Sequence, residues 1–492
     1  MRSLVREIKK MKELFKHGII YGVTSSLQNV LSFILLPLLT TYYTPAEFGI
    51  YSIILLSGTL ANAIFYLGAG SALGRFYFDV DTDFYRRQIV SSSLLITFFG
   101  AIILIILSHF FKVELSRMLF NSAKFAPHLF YAFVGTALGF LLNILTLVLR
   151  YEKKSKAFML VTISGVILNF FITYILLVKY KYGILAPIMG TMLSNGKMFL
   201  FLFLKTFSLI KGRIQIKSIY SLLNFGLQSS ITGICFFLLD WIDRLIIKEL
   251  LPMSEVGIYS LGYRLGSMIN VLLIMPFGLI WAPIRMQYLK NKNYDFFVTK
   301  VISYFFLIGI FIVFVATIYN EVFMKVFFKN NQYIAASKIF PIVMLALLVF
   351  GLQSILDFGI YYYKKIYFYI IISIIGIFIN VGLNIIFIPK YGYLSAAYIT
   401  LITYLFTTTL IFIASNKYHL IKIEWTRILV LCFFLFFFYY LACYTDAFKN
   451  WGDLKRIVLL FFSTWIVYRF WLDEVERNQI SNFIKKRLGN EN

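Results

Sequence analysis

The sequence has 492 residues, 60% hydrophobic, 19% aromatic and only 14% charged, with a net charge of +25 and a mean hydropathy of +0.82. A soluble chain carries about a quarter charged residues, so this composition excludes an ordinary soluble enzyme, a disordered chain and a secreted disulfide scaffold. About 14 helices of ~21 residues, the length that spans a bilayer core, would account for the hydrophobic share, and the chain reads as an all-α polytopic membrane protein.

Residues 1–16 hold Arg2, Arg6, Lys9, Lys10, Lys12 and Lys16, with Val5, Ile8, Met11 and Phe15 on one helical face. This predicts a basic amphipathic segment lying on an anionic leaflet. It lacks the short apolar region and small-residue cleavage site of a signal peptide. Apolar runs long enough to span follow at 18–42, 48–69, 89–109, 125–149, 158–178 and 184–204. A second set lies at 222–250, 256–280, 296–319, 339–361, 367–388 and 394–414, with two more runs at 428–443 and 457–470. They are continuous rather than alternating, which argues against barrel strands.

These runs divide the chain into an N-lobe over 17–206, a linker over 207–221 and a C-lobe over 222–416. Two further spans fall within 417–472, and a second basic amphipathic segment forms the tail over 473–492. Lys and Arg number 31 on the side of the N-terminus and 13 on the other, counting the span-end residues Lys248, Lys300 and Arg469 with their adjacent loops, and Lys197, Arg244 and Arg264 lie deeper inside spans. By the positive-inside rule both termini are expected in the cytoplasm, the protein sitting in the cell (inner or plasma) membrane. The same rule explains the net charge with no nucleic-acid partner. Cys235, Cys432 and Cys443 lie in apolar runs and the four histidines are scattered, so no disulfide framework, metal site or cofactor is expected.

The chain repeats itself. TPAEFGIYS (Thr44–Ser52) recurs as PMSEVGIYS (Pro252–Ser260) at an offset of 208, and the 45 positions from Gly18 to Asn62 hold 11 identities at that offset. They include Gly49 with Gly257, Tyr51 with Tyr259, Gly58 with Gly266 and Asn62 with Asn270. Six spans per repeat is an even number, so the two copies are parallel, related by an axis along the membrane normal. Two such six-helix lobes enclose a central cavity near the midplane, the geometry of an alternating-access transporter.

The TPAEFGIYS loop, Arg75-Phe76-Tyr77-Phe78-Asp79 after span 2, Asp243-Arg244-Leu245-Ile246 in span 7 and SEVGIYSLGYR (Ser254–Arg264) also carry a family likeness. With the Tyr-Gly entries at Tyr182 and Tyr391, the sequence resembles the polysaccharide-flippase (Wzx-like) branch of the multidrug/oligosaccharidyl-lipid/polysaccharide (MOP) exporter superfamily. The resemblance covers most of the first 12 spans. It implies a MATE-like, V-shaped pair of lobes that moves undecaprenyl- or polyprenyl-pyrophosphate-linked oligosaccharide repeat units across the membrane. Such units supply O-antigen, capsule or another surface polysaccharide. The implied partners are membrane lipids and the lipid-linked glycan, with a polysaccharide polymerase and chain-length machinery beyond them.

Ionisable groups inside a membrane mark function by default. Asp240, Asp243, Arg244 and Arg264 all belong to the second lobe. Asp240 and Arg244 are four apart on one helix face. Asp240 and Arg264 are each 12 residues from Pro252, which predicts equal depth and a salt bridge across the hairpin. Two readings stand: a neutral structural cluster, or ion coupling by Asp240 and Asp243 with anion binding by Arg244 and Arg264. Lys197 is either a snorkelling lysine or a ligand of the pyrophosphate, as is Arg75 at the inner end of span 2. Asp357 is expected to pair with Lys364 and Lys365, with ion coupling as its alternative role. Gln28, Asn29, Asn62, Asn224, Gln228 and Asn270 either bond helix to helix or solvate sugars in the cavity. Pro37, Pro187, Pro276, Pro283 and Pro341 are candidate bends.

Enzymatic function is not expected. Outside loops are short and poor in acids, and no nucleophile–base arrangement or phosphate-cradling glycine loop appears. A multidrug or cation antiporter and a peptidoglycan-precursor (lipid II) flippase are the alternatives, since both would share the lobes.

Overall fold

The computed structural model describes residues 2–430 apart from 80–81, 211, 289–293, 364 and 366, and beyond them only 432, 433, 437 and 477. The expected spans at 428–443 and 457–470 and the tail over 473–492 thus lie essentially outside the described residues. All regular elements among the described residues are helical. The first half comprises α1 (Arg2–Tyr42), α2 (Pro45–Phe65), α3 (Ala69–Tyr77), α4 (Asp83–Phe120), α5 (Ala126–Tyr151), α6 (Ser155–Tyr174) and α7 (Leu185–Ile210). The second begins with α8 (Ile216–Leu250), α9 (Met253–Gly266), α10 (Met275–Tyr288), α11 (Tyr294–Ile318) and α12 (Asn320–Phe327). It closes with α13 (Phe340–Leu356), α14 (Phe358–Tyr362), α15 (Tyr367–Tyr391) and α16 (Tyr393–Asn416).

Each of the twelve apolar runs expected for the two lobes falls on helix. Ten helical segments among the described residues are long and apolar enough to cross a membrane, and α8, bent by 41°, makes an eleventh. The chain is a multi-pass membrane protein. Residues 2–16 continue the helix of the first span without a break. The expected linker over 207–221 is shorter, because α7 runs to Ile210 and α8 starts at Ile216.

The duplication is visible in packing. Helix α1 packs on α6, α2 on α5, α4 on α5, α5 on α7 and α6 on α7. The counterparts in the second half are α8 on α15, α9 on α13, α11 on α13, α13 on α16 and α15 on α16. Two lobes with the same internal wiring result, and the principal seam between them is α2 against α9.

Local chemistry explains the elements that form that seam. Thr44 and Glu47 make a capping box, the Glu47 carboxylate accepting from the Thr44 amide at 2.9 Å, and Pro45 stands in the first turn of α2. The missing amide of a first-turn proline costs nothing there. Between α9 and α10 the chain makes a π-turn over Asn270–Ile274. Pro276 follows it; a proline in a helix has no amide to offer the carbonyl one turn back, and a widened turn absorbs the fault. That places Pro276 at a break within the span.

At the end of the bundle carrying the repeated motifs, equivalent residues meet across the axis. A Cβ added to Gly49 would lie 2.2 Å from the Met253 carbonyl oxygen, and one added to Gly257 would lie 1.8 Å from that of Pro45. Pro45 and Met253 are themselves equivalents at offset 208, so the contact is reciprocal, as in a two-fold interface. Tyr333, fully buried, adds a hydrogen bond from its hydroxyl to the Tyr43 carbonyl at 3.0 Å. Nearer the other end, Gly68 in the left-handed region (φ +60°) meets Gly226 of α8, with 2.0 Å left for a Cβ at Gly68 before the Gly226 oxygen.

Gly257→Ala should therefore weaken closure of the motif end by about 1–3 kcal/mol, the usual penalty for overpacking. Spin labels at the exposed positions Tyr42 and Leu250 would report it as a shift toward longer distances; an unchanged distribution would contradict the tight contact.

Candidate functional site

Between the two glycine contacts lies a cavity of about 550 Å3. The first lobe contributes Thr59, Asn62 and Tyr66, and the second Asp240, Trp241 and Asn270. A second cavity of about 460 Å3 runs from the same place into the first lobe, sharing Thr59, Asn62, Tyr66 and Trp241. It reaches Asn143, which accepts from the Tyr66 hydroxyl at 2.8 Å, and Asn195, which donates to the Gly135 carbonyl at 3.0 Å. Each volume falls in the ~300–1,000 Å3 range of ligand sites. Asn62 and Asn270, equivalents in the repeat, face the cavity from opposite lobes.

Behind the Asp240 wall the second lobe holds its charges. Asp243 is fully buried and accepts from Tyr259 at 2.7 Å, Thr400 at 2.6 Å and Asn384 at 3.0 Å. Asn384 also donates to Asn380 at 2.9 Å. The carboxylate thus ties α8 to α9, α15 and α16, which answers the cost of burying an acid in an apolar medium. The side-chain oxygen of Asn384 and the amide nitrogen of Asn380 are buried without a partner. The Arg244 guanidinium is sandwiched between Trp241 and Tyr263, 4.0 and 4.1 Å from the ring centroids, and donates to the Asp240 carbonyl at 3.0 Å. Such stacking suits a weakly hydrated, delocalised cation.

The salt bridge expected between Asp240 and Arg264 is not formed. Asp240 accepts from the Tyr263 hydroxyl, and Arg264 hydrogen-bonds Tyr51 of the other lobe. Consecutive helical residues diverge by ~100°, so a helix that turns Tyr263 toward α8 turns Arg264 toward α2. Direction around the axis, which sequence distance from Pro252 does not give, decided the partner. Tyr51 and its equivalent Tyr259 therefore serve different ends: one joins the lobes, the other holds Asp243.

Asp357 also departs from expectation. Its carboxylate takes Arg285 at 3.0 Å and the Tyr369 hydroxyl at 2.5 Å rather than Lys365, while Lys364 lies outside the described residues. Arg285 is 9% exposed, donates to the Ser354 carbonyl at 3.2 Å and stacks 4.0 Å from the Tyr361 ring. The cluster clamps α10 to α13, α14 and α15, away from both cavities.

Lys197 is exposed in a row with Leu193, Leu200, Phe201 and Leu204, and lines neither cavity. Arg75 pairs with Asp79 at 2.7 Å, with both side chains largely exposed. Nearby, outside the spanning segments, the Tyr77 hydroxyl donates to Glu152 at 2.5 Å; burial and that carboxylate push the phenol well above its ordinary range. Of the six uncharged candidates, only Asn62 and Asn270 line the cavities. Asn29 donates to the Met275 sulfur at 3.5 Å across α1 and α10, while Gln28, Asn224 and Gln228 are exposed elsewhere. Sequence reasoning passed over Asn380 and Asn384, although their spacing of four puts both on one helix face. It also passed over Thr400, Trp241 and Tyr404, which nothing in an aromatic-rich chain sets apart.

Two duplicated helical lobes with a cavity between them define the class, a multi-pass helical membrane fold built on a parallel repeat. The chain belongs to the polysaccharide biosynthesis protein family, whose sequence model matches residues 14–289, more than half its length. It is 23% identical over 287 residues to Lsg locus protein 1 of Haemophilus influenzae, covering 57% of this chain and 68% of that one. In fold it is similar to the lipid II flippase MurJ in an inward closed conformation, with a TM-score of 0.71 and 19% identity over 92% of this chain and 99% of that one. An inward-facing multidrug resistance MATE transporter follows, with a TM-score of 0.66 and 15% identity over 79% and 94% of the two chains.

Removing Arg285 alone, as in Arg285→Met, should cost about 3–5 kcal/mol by stranding the buried Asp357 charge. Arg285→Met combined with Asp357→Leu should recover most of the loss in thermal unfolding of the detergent-solubilised protein. Additive losses would show that the pair is not coupled.

Proposed function

We propose that the chain is a flippase that moves polyprenyl-pyrophosphate-linked oligosaccharide units across the cell membrane by alternating access. The observation that carries this reading is the cavity between the lobes, faced from both sides by Asn62 and Asn270 and bounded by two backbone contacts. Membership of the polysaccharide biosynthesis protein family supports a glycan, and the fold supports a transporter. A polar, aromatic-rimmed cavity offers hydrogen bonds to sugar hydroxyls and flat apolar surfaces to ring faces, while the polyprenyl chain stays in lipid. The excess of Lys and Arg on the side of the N-terminus supports a cytoplasmic N-terminus, and in that orientation the glycine-closed motif end faces outward. In this state the outer gate is shut; outward release requires α2 and α9 to part.

Among the buried acids, Asp243 is the best placed for ion coupling. It sits within a cage of oxygen- and nitrogen-bearing side chains with unused hydrogen-bonding capacity at Asn380 and Asn384. Asp240, on the cavity wall, is the second candidate. Asp357, neutralised by Arg285 and remote from the cavities, fits a structural role. For the pyrophosphate, Arg264 at the seam and Arg244 behind Trp241 are nearer the path than Lys197 or Arg75. A lipid II flippase fold covers nearly the whole chain, which favours a lipid-linked substrate over a free cation.

Reconstituted in liposomes, the protein should move a fluorescent polyprenyl-pyrophosphate-linked oligosaccharide between leaflets. Trp241→Ala should slow it about tenfold, the effect of losing one aromatic platform of about 1–1.5 kcal/mol. Drug–proton exchange without movement of the glycan would contradict this function.

A further inference from the structure

The electrostatics of the cavity narrow the substrate class within the flippase reading, on which this inference rests. Among the described residues lining the two cavities, Asp240 is the one with a formal charge. Of the described basic side chains Arg244 acts on the Asp240 carboxylate, but it is shared with Asp243, and the others are committed elsewhere. Arg244 lies behind the wall, packed between Trp241 and Tyr263 and bonded to the Asp240 carbonyl. Arg264 is turned to Tyr51. Arg75 is paired with Asp79, and Lys197 sits on the outer surface of α7. The formal charges of Asp240, Asp243 and Arg244 sum to one negative charge, and among the described residues no cation lines the space where the glycan would lie. The rest of the wall is amide, hydroxyl and ring: Asn62, Asn270, Thr59, Trp241, Phe350 and Tyr404.

We propose that the cavity selects glycans without carboxylate or other acidic substituents, neutral or amino sugars, and that Asp240 is the specificity-determining residue. A uronic acid brought into this space would set its carboxylate near that of Asp240 in a medium that screens poorly. Among the described lining residues it would find no guanidinium or ammonium to receive it, and an unpaired, desolvated charge rejects a ligand. A neutral sugar loses nothing there, because its hydroxyls meet amides and hydroxyls and its ring faces meet Trp241 and Tyr404. An amino sugar gains a charge-assisted bond to Asp240. The pyrophosphate is common to all such lipids and cancels in the comparison.

The test uses the full chain in liposomes and two fluorescent short-chain polyprenyl-pyrophosphate disaccharides. They differ only in the second sugar, N-acetylglucosamine in one and glucuronic acid in the other. Wild-type protein should move the neutral lipid about tenfold faster, the scale set by like-charge juxtaposition. Asp240→Asn should bring the ratio within about twofold, and Asn270→Lys, which adds a base on the cavity wall, should raise movement of the uronate lipid. Equal wild-type rates, or a ratio unchanged in Asp240→Asn, would overturn the selection while leaving the flippase reading intact. Movement of neither lipid by wild-type protein would overturn the flippase reading and this inference with it.

Discussion

Two backbones that come within reach of one another's carbonyl oxygens, at Gly49 and Gly257, set the geometry of the whole molecule. A membrane gives two lobes no hydrophobic reason to associate, since lipid tails are as apolar as their surfaces. Close packing of small residues supplies the attraction instead, and any side chain at either position would hold the lobes apart. Because the two glycines are equivalents in a parallel repeat, the contact sits on the pseudo-two-fold axis. The cavity then has its roof at the motif end and its walls on α2 and α8, with Gly68 and Gly226 marking the other boundary.

Buried charge is handled mostly by neutral partners. Asp243 rests on a phenol, a hydroxyl and an amide, and Arg244 rests on two aromatic rings. The Arg285–Asp357 pair, by contrast, is a direct ion pair finished by Tyr369 and Tyr361. All these clusters lie in the second lobe; in the first, the positions equivalent to Asp240, Asp243 and Arg244 are Ser32, Leu35 and Leu36. The duplication therefore yields one largely uncharged lobe with a cavity extension and one charged lobe. Under the proposed function, that asymmetry assigns the sugar to the first lobe's cavity extension and ion coupling to the second lobe.

Much of this was legible in the residues. Apolar runs located the helices of both lobes, because spanning length is dictated by bilayer thickness. The offset of 208 identified Gly49 with Gly257 and Asn62 with Asn270 before any geometry was known. What it could not convey was that equivalent residues meet across the axis. Azimuth was the harder quantity: Asp240 and Arg264 are equally distant from Pro252 in sequence but face different helices, and Lys197 is exposed on the side of α7 away from the cavities. Arg285 escaped notice because its helix runs to Tyr288, past the last apolar residue of the span. Asp357 was consequently matched to lysines closer in sequence. Long-range partners such as Asn384 and Thr400 become visible only once α15 and α16 are packed against α8.

The central claim is that the motif end, sealed by equivalent residues of the two repeats, must open in every transport cycle. Cysteines at Pro45 and Met253, in a chain with Cys235, Cys432 and Cys443 replaced, would allow a short reducible cross-linker to hold that end shut. The account predicts that glycan flipping in liposomes stops on cross-linking and returns when the linker is reduced. Flipping at the full rate with the linker in place would contradict it.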